Sequence, residues 1–124
     1  MDTVSEVVKQ TAKGQKFELQ WGNFLDEFYR SGKEKKMDMV KDEPEHFDNI
    51  QAETYAFIAG AVEKLCNDTE LEPPAWVFKD KYFLKEPYFA LDAKGMLRVV
   101  LLVESPNEFV VRNVFVSENC LTRA

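Results

Sequence analysis

Met96-Leu97-Arg98-Val99-Val100-Leu101-Leu102-Val103-Glu104 is followed by the turn-forming Ser105-Pro106-Asn107-Glu108 and then by Phe109-Val110-Val111-Arg112-Asn113-Val114-Phe115-Val116. Two valine-rich runs around a Ser-Pro-Asn turn have the local propensity of a β-hairpin. Two strands without a third gain little independent stability, and everything upstream reads as helix. Leu97, Leu101 and Leu102 also fit one face of a helix, and Ser105 is placed to cap a second helix that begins at Pro106 with Glu108 in its first turn. The reading adopted is therefore a mainly α fold: a single-domain helical bundle over residues 1–124 with an irregular, aromatic-rich C-terminal half. An α+β fold with a C-terminal hairpin at about residues 96–116 stays open as the alternative.

Upstream, Thr3 and Glu6 have capping-box spacing, in which both side chains satisfy backbone donors at a helix start. Val4, Val7, Val8 and Thr11 recur at helical intervals, and Gly14 is placed to end that helix in the left-handed region. Phe17, Trp21, Phe24, Leu25 and Phe28 form one apolar stripe, with Glu18, Asn23, Asp26 and Glu27 between them, which predicts an amphipathic helix ending at Gly32. Lys33 to Lys41 is a charged connector or short helix. Asp42, Glu43, Pro44 and Glu45 read as the acidic, proline-bearing start of the longest helix. Phe47, Ile50, Thr54, Phe57, Ile58, Ala61 and Leu65 form its stripe. Gly60, within Ala59-Gly60-Ala61, predicts a close approach by another helix.

Pro73-Pro74 separates an acidic helical part, residues 1–72, from an aromatic-rich part, residues 73–124. Trp76, Phe78, Tyr82, Phe83, Tyr88 and Phe89 follow the prolines without a single period, which suits short helical turns interrupted at Pro87.

With 124 residues, 45% hydrophobic and 31% charged, the chain has ordinary globular composition and the length of one domain. The net charge of -6 disfavours nucleic acid as a partner. Residues 1–72 carry 9 Lys+Arg against 16 Asp+Glu, whereas residues 73–124 carry 7 against 6, so the net charges are -7 and +1. Two cysteines, Cys66 and Cys120, do not make a disulfide framework and point to a reducing compartment. The opening Met1-Asp2-Thr3-Val4-Ser5-Glu6 has neither a basic start nor an apolar core, so no leader is expected, and the longest apolar run is far shorter than a membrane span. A cytoplasmic location is the expectation, with no membrane partner.

The chemistry-bearing residues are sparse. His46 lies among Asp42, Glu43, Glu45 and Asp48, but no spacing fixes two metal ligands on one helical face, so no metal and no cofactor is expected. A Cys120 or Ser105 nucleophile would need that single distant histidine as its base. A small carboxylate-based enzyme around His46 is accordingly an alternative, as is a nucleic-acid-binding regulator using the basic run Lys33 to Lys41. The favoured expectation is a non-enzymatic protein-interaction module. Its candidate contact residues are Trp76, Tyr88, Phe89, Arg112 and Asn113, because aromatic anchors beside an arginine fork are what interface hot spots use. The competing reading is that Arg112 pairs internally with Glu104 or Glu108, that Asn113 caps a helix end, and that the aromatics are core.

The C-terminal residues resemble a pattern shared by an uncharacterised group of small bacterial proteins. The match runs through Pro74-x-Trp76, Phe83-Leu84-x-x-Pro87-Tyr88-Phe89 and Leu97-Arg98, then Ser105-Pro106-x-x-Phe109-x-x-Arg112-Asn113-x-Phe115-Val116 and Leu121-x-x-Ala124, under half of the chain. Members of that group tend to be encoded beside nucleotidyltransferase-like proteins in toxin-antitoxin-like pairs. The resemblance implies another protein as partner, of nucleotidyltransferase type, and no reaction. Some members begin with a DNA-reading helix-turn-helix, a feature the acidic residues 1–72 do not match.

Overall fold

The computed structural model describes residues 3–89, 95–117 and 120–121, and the fold is mainly α. Two compact units divide at Gln51 and Ala52, so the boundary precedes the double proline by one long helix.

The first unit contains α1 (Val4–Ala12), α2 (Phe17–Arg30) and α3 (Lys33–Val40), which pack on one another. Thr3 caps α1: its Oγ1 accepts from the Glu6 amide at 3.1 Å, while the Glu6 carboxylate accepts from Gln10 at 2.8 Å. At the other end, Gly14 takes φ +105°, its amide donates to Thr11 O, and the Gln15 amide reaches back to Gln10 O. These are the paired bonds of a Schellman stop, which the glycine permits without steric cost. Along α2, Trp21, Phe24, Leu25 and Phe28 are buried. The Phe17, Trp21, Phe24 and Phe28 rings succeed one another at 5.9, 5.0 and 5.9 Å. The charged run Lys33–Val40 is helical because Met39 and Val40 at its end are buried, which gives a polar segment its apolar anchor.

The expected helix start at Asp42–Glu45 is not observed. Residues 41–51 are irregular, and Phe47 and Ile50 lie outside any helix. Pro44 disfavours the helical conformation of Glu43. Asn49 spends its side-chain amide on Ala12 O at 2.9 Å, satisfying a carbonyl left over at the end of α1.

The second unit is built around α4 (Ala52–Asp68), against which two 3-10 turns, Ala75–Phe78 and Asp80–Tyr82, pack. After them come β1 (Tyr88–Phe89), α5 (Met96–Glu104), α6 (Asn107–Val110) and β2 (Val114–Phe115). The valine-rich segment is therefore helical through α5 and α6, and the hairpin alternative is not observed. β2 instead pairs in parallel with β1, Tyr88 opposite Val114 and Phe89 opposite Phe115. The expected short helical turns after the double proline are present up to Tyr82, whereas Tyr88 and Phe89 are extended.

Gly60 has the packing role its position suggests, and the helix it admits is α6. A β-carbon there would meet Phe109 Cδ1 at 2.9 Å and Glu108 O at 3.2 Å.

Candidate partner-binding surface

Arg112 organises the C-terminal unit from inside. It lies just beyond α6 and is 0% exposed. Its Nη1 donates to Glu63 Oε1 at 2.6 Å and to Glu108 O at 2.7 Å, and its Nη2 donates to Val77 O at 2.7 Å. The guanidinium also lies over the Phe83 ring at 4.7 Å. One planar fork thus joins α4, the first 3-10 turn and α6, a geometry that a lysine's point charge cannot reproduce. Internal pairing is the observed arrangement, with Glu63 as the carboxylate and Glu108 contributing its main-chain oxygen.

Asn113 follows with φ +62°, a left-handed conformation that asparagine tolerates better than most residues. The bend lets its carbonyl accept from the Tyr88 amide at 2.8 Å and its side chain donate to Leu84 O at 2.8 Å. Residues 84–89 are thereby laid alongside residues 112–115.

Ser105 ends α5 instead of starting α6, whose cap position is Pro106. Its buried hydroxyl donates to Leu101 O and accepts from the Val116 amide at 2.9 Å. α5 is held from below by this hydroxyl and by Leu101, which clusters with Phe115, Phe89 and Val110.

The five sequence-predicted contact residues divide between the interior and the surface. Trp76 is buried, edge-on to buried Tyr82 at 5.5 Å, and Arg112 is fully enclosed. Phe89 and Asn113 are half-buried, Phe89 being stacked on Phe115 at 4.9 Å beneath Arg98 at 4.3 Å. Tyr88 is exposed.

The outer face of α5 is the surface that sequence reasoning missed. Met96 is 75% and Val103 82% exposed, and Leu97, Val100 and Leu102 are exposed as well. At about 100° per residue, Met96 and Val103 lie within about 20° of each other and roughly 140–160° from Leu101. The most exposed aliphatics therefore stand opposite the residue that anchors the helix. The available signal was the run itself: Met96 to Val103 contains one charged residue, Arg98, too few to make a polar outer face.

The other candidate groups have no comparable arrangement. Among the described residues, no three His, Cys, Asp or Glu side chains come together to hold a metal. Cys66 and Cys120 are free thiols, each pushed up to about 11 by burial, the opposite of an activated nucleophile. Lys35 of the basic run and Arg30 just before it both pair with Glu27 and hold its carboxyl down at about 2. Among the described residues, no helix is long and apolar enough to cross a membrane.

No family model, no curated protein and no solved structure matches the chain.

Proposed function

We propose that this chain is a non-enzymatic protein-interaction module, the neutralising, antitoxin-like partner of a nucleotidyltransferase-type protein, acting in the cytoplasm. The single observation that carries the reading is the aliphatic outer face of α5, where Met96, Val100 and Val103 stand in water on a helix whose opposite side is pinned by Leu101 and Ser105. Single exposed aliphatics are ordinary, but contiguous ones on one helix face mark places where another molecule sits. A helix presenting anchors at i, i+4 and i+7 is the form taken up by apolar grooves in partner proteins. Tyr88 remains available to such a partner, whereas Trp76 and Arg112 are buried.

The test is co-expression with a nucleotidyltransferase-like protein encoded beside it, followed by affinity co-purification of wild type and Val103→Glu. Recovery with wild type and loss with the variant, at unchanged far-ultraviolet circular dichroism, is the expected result. Equal recovery of both would show that α5 is not the contact.

A further inference from the structure

We draw no further inference here: the strongest candidate, the side-chain cluster between α4 and residues 108–112 in which Glu63 meets buried Arg112 and Asn67 donates to Glu108, belongs to the internal framework already described, and nothing among the described residues shows a second arrangement that its release would reach.

Discussion

Eight residues lie between Val103 and Arg112, and the two exchange the places that hydropathy would assign them. Arg112 is enclosed, its charge met by Glu63 and by two main-chain oxygens, while Val103 stands in solvent. A buried guanidinium is tolerable because both terminal nitrogens donate to oxygens, while its Nε has no partner among the described residues, and the cost of leaving it without its carboxylate is what makes the site rigid. An aliphatic on the surface costs the folded chain little, so it can be kept for another purpose. In this pair the charged side chain is structural and the aliphatic one faces outward.

The contrast is broken most directly by truncation. Arg112→Ala should lose about 3–5 kcal/mol of stability, leaving Glu63 without its partner, whereas Val103→Asp should change it by no more than about 0.5 kcal/mol. Urea unfolding at low protein concentration measures both, and a large loss for Val103→Asp would mean that the α5 face is covered within a single chain. Asn113 sharpens the inner half of the comparison. Asn113→Gly keeps the left-handed backbone and gives up the bond to Leu84 O, so it should cost about 0.5–1.5 kcal/mol, and Asn113→Ala should cost about 1 kcal/mol more because of its φ. Equal losses in the two variants would remove backbone conformation from the account. A further effect is a pH dependence of the buried side. Burial raises the Cys66 thiol from its ordinary 9.0 to about 11, so the folded state favours the neutral form. That contribution is complete below pH 9 and is lost as pH rises through about 11. Urea midpoints should decline over this window less in Cys66→Ala than in wild type; an identical decline would assign the loss to other groups.

The helices of the first unit were legible because each carried its own instructions. Thr3 and Gly14 bracket α1, and the rings from Phe17 to Phe28 repeat on one side of α2. The stretch before α4 was not, because Phe47 and Ile50 have helical spacing while Asn49 takes its conformation from a carbonyl 37 residues away. In residues 96–116, helix was distinguishable from hairpin by asking what could cover two strands, but the β1–β2 pairing depended on Asn113 turning left-handed, a long-range agreement that local propensity does not encode. At the candidate site, an arginine between phenylalanines has the same appearance in sequence whether it grips a partner or a core. Only the position of Glu63 on α4 separates the two. The α5 face was hidden for the converse reason: its valines and leucines read as interior, and nothing in their order says that Leu101 is buried while Val100, Leu102 and Val103 are exposed.

Position 60 has a reach larger than its side chain. Phe109 and Glu108 already stand where a methyl group on that residue would have to go, so the separation between α4 and α6 is fixed by the thickness of bare backbone. Glu63, one turn further along α4, meets Arg112 at 2.6 Å only at that separation. Even an alanine at position 60 would act as a spacer, levering the guanidinium away from its carboxylate and slackening the pin that steadies the whole tail of the molecule.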